Sequence, residues 1–315
     1  MMQSFVYEYA TKVYFGEGAA RKHLAQAISG FGQNVLLAYG GGSVKKNGID
    51  FILGVGGGSV IDCCKIIAAQ AKTDRDLWEM EMTDHQFPAE VIPMGAVVTA
   101  SGTGAEMNGG AVITNEEKVI KAGMAAAAPR FAILDPAYTA SVPASQVMSG
   151  AFDTLSHAME TYFGKSDQDN VSDDVALAIM RNTVVNMRRL QKDVSDIQAR
   201  GNLMWDSAMA ENGILKVGRV TDFQAHQMEH QLGAYTDCNH GQGLAVIHPA
   251  YYRHILKDAK GKFQRFGRTV FGTETAEDAV DALEGFYPGD RTSHDTAGAG
   301  GKGSAGNETD CGLLP

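Results

Sequence analysis

Disulfide chemistry has little to work with in this sequence: its four cysteines, Cys63, Cys64, Cys238 and Cys311, form no CxxC pair. Sparse, unpatterned thiols fit a reducing cytoplasm, which is the expected location. Basic clusters are also missing. With 27 Lys and Arg against 37 Asp and Glu, the net charge is -10, and a field of that sign repels nucleic acid and anionic membrane alike. The opening MMQSFVYEYATK carries no basic start followed by an apolar core, and no run approaches the ~18 apolar residues of a membrane span. The Rossmann fingerprint G-x-G-x-x-G is absent as well. What remains is an ordinary globular enzyme composition, 44% hydrophobic over 315 residues, long enough for two domains.

The densest chemistry lies in TDFQAHQMEHQLGAYTDCNHGQGLAVIH, residues 221 to 248, which holds His226, His230, His240 and His248 of the nine histidines. On a helix His226 and His230, four apart, share one face, and the short polar connection after them can fold His240 back toward it. Upstream, Asp153 and His157 in AFDTLSHAMETYF repeat the i, i+4 spacing in an apolar, helix-patterned stretch. One carboxylate and up to three imidazoles then converge from two helices. Burying that many polar groups without a common partner costs several kcal/mol, so the pattern points to a metal ion.

The N-terminal half alternates strands and glycine turns. A strand candidate at Thr11 to Phe15 and an amphipathic stretch with Leu24, Ala27 and Ile28 lead to VLLAYGGGSVKK, then to FILGVGGGSVIDCCKIIAAQA at 51 to 71. A third turn, VVTASGTGAE at 97 to 106, and a last strand, AILDP at 132 to 136, follow. Glycines between a strand and a helix let the backbone approach a phosphate, and the helix start supplies free N–H groups and the positive end of its dipole. Residues 1–142 therefore read as an α/β dinucleotide-binding domain with a mainly parallel sheet. From Pro143 the apolar period becomes helical, as in Ala176, Ile179, Thr183, Met187 and Leu190, so residues 143–287 read as all-helical. The methionines of this half read as core. Residues 288–315 lack aromatics and helical period and read as a disordered tail.

Taken together, TKVYFG at 11, YGGGSVKKNG at 39, GVGGGSVIDCCK at 54, TASGTGAE at 99, ILDP at 133, Asp153-x3-His157 and His226-x3-His230-x9-His240-Gly resemble the iron-containing (group III) alcohol dehydrogenases, most closely their butanol dehydrogenase-like branch. The resemblance spans residues 5 to about 287. It implies a dehydroquinate synthase-like fold, an N-terminal parallel-sheet nucleotide domain followed by a helical metal-binding domain. It also implies that Asp153, His157, His226 and His240 ligate Fe(2+) or Zn(2+). His230, not needed as a fourth imidazole ligand, is the candidate proton relay. Gly57, Gly58, Ser59 and Asp62 are expected at the pyrophosphate and the nearby ribose or nicotinamide, with Thr99, Thr103 and Lys121 alongside. Gly41 stands where NAD-preferring relatives carry an aspartate. With Gly42 and Ser43 free to donate to a 2'-phosphate, NADP(H) is favoured over NAD(H).

The implied activity is hydride transfer between NAD(P)(H) and a short-chain alcohol or aldehyde, in a homodimer. A metal-dependent hydrolase or a non-haem iron oxygenase could use the same ligands, but neither accounts for three glycine turns in a separate α/β domain. Two departures from the family pattern matter: family members carry further helices where residues 288–315 read as a tail, and the chain is shortened after residue 48. Gly48 and Ile49 run almost directly into Asp50 and Phe51, where the family has another strand and two flanking helices, so a non-catalytic relic that binds metal but no nucleotide is the rival reading.

Overall fold

The computed structural model describes residues 7–38, 48–165 and 169–287. All of the YGGGSVKKNG stretch except Gly48, and with it Gly41, Gly42 and Ser43, lies outside the described residues, as does the expected disordered tail.

Apolar runs bounded by glycine or proline build a parallel sheet. Strands β1 (Lys12–Phe15), β2 (Val35–Ala38), β3 (Phe51–Gly56), β4 (Met94–Val98) and β7 (Phe131–Leu134) lie in the order β1-β7-β4-β3-β2, every neighbouring pair parallel. The central strands are buried on both faces, hence their uninterrupted apolar sequence. Helix α1 (Ala19–Ile28) covers one face over Phe51, Leu53, Phe131 and Ile133. Helix α2 (Gly58–Gln70) covers the other with Ile61, Cys64 and Ala68. Helix α3 (Leu77–Met82) follows, and strands β5 (Gly110–Asn115) and β6 (Ile120–Ala125) form a separate antiparallel hairpin.

The short connection between β2 and β3 does not prevent their pairing, since Val35 faces Phe51 and Leu37 faces Leu53 in parallel register. The face carrying Val35 and Leu37 is poorly covered, and Leu37 remains 53% exposed on this edge strand.

Helices α4 (Ala144–Tyr162), α5 (Val171–Lys192), α6 (Ile197–Glu211), α7 (Gln224–Thr236), α8 (His240–Ile255), α9 (Lys260–Phe266) and α10 (Ala276–Phe286) make up the rest. Local rules set their ends. Asn170 accepts from Ser172 N–H at 2.8 Å and Asp173 accepts from Asn170 N–H at 2.8 Å, a capping box that starts α5. Met204 and Ala208 of α6 enter the core beneath the sheet with Ile52, Ala96 and Leu134, so the helical layer and the sheet share one apolar interior. Cys63, Cys64 and Cys238 are free thiols. Among the described residues no helix is long and apolar enough to cross a membrane.

Candidate metal centre and cofactor cleft

Helix α4 runs through the middle of the helical layer, its residues from Ala151 to Tyr162 all buried. Its i, i+4 spacing aims Asp153 and His157 at the start of α7, where His226 lies. A turn ending in Asn239, which caps α8, brings His240 back to the same point. Asp153 Oδ1 stands 3.7 Å from His157 Nδ1, 3.5 Å from His226 Nε2 and 3.5 Å from His240 Nε2. Asp153 Oδ1, His157 Nδ1 and His226 Nε2 are buried and have no hydrogen-bond partner. Leaving three such atoms unsatisfied costs a few kcal/mol each, unless one shared partner serves them all.

A tetrahedral ion with bonds of about 2.0–2.2 Å spaces its donors about 3.3–3.6 Å apart. The ligand-type atoms of Asp153, His226 and His240 all lie within 4.8 Å of one another, and His157 stands outside that group, 3.7 Å from Asp153. The three imidazoles and one carboxylate, without thiolate, are a donor set for Fe(2+) or Zn(2+). The residues present therefore fit the divalent ion that the sequence implies.

Electrostatics at this point are those of a cation site. Burial works against charge on Asp153, yet the imidazoles of His157, His240 and His226 together hold it well below the usual carboxylate range. Burial pushes His157 down. Burial also opposes charge on His226, but the Asp153 and Glu160 carboxylates on its two ring nitrogens raise it to about 10.

His230, one turn along α7, has its ring centre 6.2 Å from that of His226 and 5.7 Å from that of His240. Burial, then the positive charges of Lys121, His240 and His226, lower its pKa to about 3, so it stays neutral. His248 belongs elsewhere: fully buried on α8, its Nε2 is 2.6 Å from Ser156 Oγ.

The second and third glycine turns come together. Gly57 caps α2 without any side-chain bond to the helix's free N–H groups, and Ser59 is exposed beside it. Thr99 N–H donates to Gly56 O at 3.0 Å, and Thr103 packs so closely on Gly58 that a Cβ there would lie 2.6 Å from its Cγ2. The same 99–106 loop is fastened to the helices. Gly102 and Gly104 N–H both donate to Ser207 Oγ at 3.0 Å, and Thr154 Oγ1, next to Asp153, donates to Gly102 O at 3.2 Å. The cofactor-type turns and the metal-type residues thus meet on α4.

Two expected cofactor residues are engaged with the protein itself. Asp62, raised by burial, receives Lys65 Nζ at 3.2 Å on one oxygen and Val112 N–H at 2.9 Å on the other. Lys121, on β6, reaches the metal centre, with its Nζ 3.1 Å from Glu229 Oε2 and 3.3 Å from His240 Nδ1. Glu229, His230 and His240 form a second cluster of ligand-type atoms, and that ammonium is bonded within it.

Sequence reasoning missed Glu160 and Glu229, which contact the outer nitrogens of His226 and His240. The signal was there: Glu160 follows His157 by three residues, and Glu229 follows His226 by three. It also missed the β5–β6 hairpin, written as VIT and VIK around NEEK.

Comparison with known proteins gives the family. The family described as "Iron-containing alcohol dehydrogenase" matches residues 43–136, and "Fe-containing alcohol dehydrogenase family, C-terminal" matches residues 147–290. The chain is 36% identical over 322 residues to NADH-dependent butanol dehydrogenase A of Clostridium acetobutylicum, covering 88% of this chain and 82% of that one. It is 30% identical over 336 residues to the NADPH-dependent aldehyde reductase YqhD of Escherichia coli, covering 91% and 86%. The crystal structure of NADH-dependent butanol dehydrogenase A from Thermotoga maritima superposes with a TM-score of 0.84 at 31% identity, over 91% of this chain and 84% of that one.

In the Clostridium alignment, 88% of 315 residues is about 277, spread over 322 positions, so about 45 positions have no residue of this chain. That is the scale of a strand with two helices. By domain matches, by whole-length identity and by superposed fold, the chain belongs to the iron-containing alcohol dehydrogenase family.

Proposed function

We propose that this protein is a metal-dependent oxidoreductase that transfers a hydride between NAD(P)(H) and a short-chain primary alcohol or aldehyde. The observation that carries the reading is the set of buried, partnerless donor atoms on Asp153, His157 and His226, joined by His240 and tied through Thr154 to the glycine-rich loop. Fe(2+) or Zn(2+) held by these four residues supplies Lewis acidity toward a substrate oxygen. His230, whose buried Nδ1 has no partner and whose ring lies beside those of His226 and His240, is the residue placed to pass the hydroxyl proton.

The free N–H groups at the start of α2, at Gly57, Gly58 and Ser59, hold the pyrophosphate, flanked by Thr99 and Thr103. Asp62 braces the turn through Lys65 and the β5 backbone. Lys121, beside His240, is placed to meet the nicotinamide end of the cofactor. Gly41, without a carboxylate to repel a 2'-phosphate, and Gly42 and Ser43 beside it, favour NADP(H). A homodimer is the expected assembly.

The test is oxidation of NADPH with butanal as acceptor, with and without Fe(2+) or Zn(2+), alongside metal content after desalting. Metal-dependent turnover and about one ion per chain, lost in His226→Ala, support the reading. Metal bound with neither turnover nor nucleotide binding would leave the relic instead. A tenfold preference for NADH, about 1.4 kcal/mol, would overturn the NADP(H) assignment, and Gly41→Asp is expected to move preference toward NADH.

A further inference from the structure

Two of the four proposed ligands are imidazoles whose outer nitrogen rests on a buried carboxylate. His226 Nδ1 meets Glu160 Oε2, and His240 Nδ1 meets Glu229 Oε2, while both Nε2 atoms face Asp153 Oδ1. Glu160 and Glu229 are both fully buried. A neutral imidazole carries one N–H, and a carboxylate against Nδ1 fixes that hydrogen there, leaving the lone pair on Nε2.

The site around Glu229 is built for this carboxylate. A Cβ on Gly243 of α8 would lie 2.9 Å from Glu229 Cγ, and one on Gly233 of α7 would lie 3.2 Å from Oε1 and 3.3 Å from Lys121 Nζ. A side chain at 243 would force Glu229 to shift, and one at 233 would make its carboxylate and Lys121 give by a few tenths of an ångström. Lys121 Nζ, 3.1 Å from Oε2, clamps the carboxylate from the β5–β6 hairpin.

We propose that Glu229, held by Lys121, is the positioning residue for His240: it takes the Nδ1–H and so presents Nε2 to the metal, and it joins the hairpin of the α/β half to the metal centre. The inference rests on the metal-site reading above. Glu160 stands in the same relation to His226. It also accepts the backbone N–H of Ala225 at 2.7 Å and of His226 at 3.3 Å, so its loss would disturb the start of α7 as well. Glu229 makes no backbone contact of that kind among the described residues, which makes it the cleaner probe.

The experiment compares wild type with Glu229→Gln by Zn(2+) affinity in chelator competition, by the visible d–d spectrum of the Co(2+)-loaded protein, and by the melting temperature of the metal-free protein. The expected result is a 10- to 100-fold weaker Zn(2+) affinity and an altered Co(2+) spectrum, with little change in the metal-free melt. Equal affinity and spectrum in the two proteins would overturn the proposal while leaving the metal site standing. A wild type that holds no metal would overturn both. If the variant does not fold, 15N-histidine spectra of the Zn(2+)-loaded wild type decide the matter. Protonated Nδ1 with metal-shifted Nε2 on His240 supports the proposal, and the reverse pattern refutes it.

Discussion

Gly150→Ala tests whether the cofactor loop is seated on α4 as described. Gly150 lies inside that helix, and a Cβ built on it would run into the Ser101 carbonyl oxygen, with Ser101 C at 3.2 Å and Gly102 Cα at 3.5 Å. In an open helix the change would help by about 0.5–1 kcal/mol, because glycine loses more backbone entropy than alanine. Here the obstacle is backbone, which cannot rotate aside, so the overpacking cost sits near the upper end of about 1–3 kcal/mol.

Moving the loop instead strains the hydrogen bonds from Gly102 and Gly104 to Ser207 and from Thr154 to Gly102, at about 0.5–1.5 kcal/mol each. A net loss of about 2 kcal/mol is expected, or about 3 °C in the melting temperature of a chain this long. Nucleotide affinity falls too, because the loop carries Thr99 and Thr103. Gly285→Ala in α10, where nothing lies within 4 Å, is the control and is expected to stabilise slightly. Thermal melts and nucleotide titration read both effects, and Gly150→Ala melting at or above wild type would refute the contact.

Burial, opposed by its own backbone N–H and by Lys65, raises Glu106 to about 7 from 4.5, so folding favours its protonated form. The stability it contributes is fully present below about pH 4.5 and is lost as pH rises through about 7. Glu106→Gln should remove that slope, gaining about 2–3 kcal/mol on wild type between pH 4.5 and 8 in urea melts, and parallel profiles would count against it. Loading with Zn(2+) at a hundred times its dissociation constant should stabilise wild type by about 2.7 kcal/mol, reversed by a chelator and missing in His226→Ala. Leu37→Lys, at the 53% exposed position on edge strand β2, should reduce aggregation in light scattering without lowering the melt, and a loss of stability would mean the side chain is covered.

Most of the buried strands, the long helices and the ligand-type residues were legible in the local sequence, and the β5–β6 hairpin was not. Apolar runs ending in glycine became buried parallel strands, as in FILGVG, and i, i+4 pairs on amphipathic stretches became helix faces, as in Asp153 with His157 and His226 with His230. Those are local relations, fixed by the period of the backbone. Only the tertiary structure decided which atoms meet across long separations in the chain. It set Nε2 of His226 and His240 on Asp153, placed Glu160 and Glu229 behind them, and sent Lys121 from a hairpin of the α/β half to the metal centre. Each carboxylate reads as an ordinary helix residue in the sequence. Its role depends on how α4, α7 and α8 pack, and on the room that Gly233 and Gly243 leave, which no local period encodes.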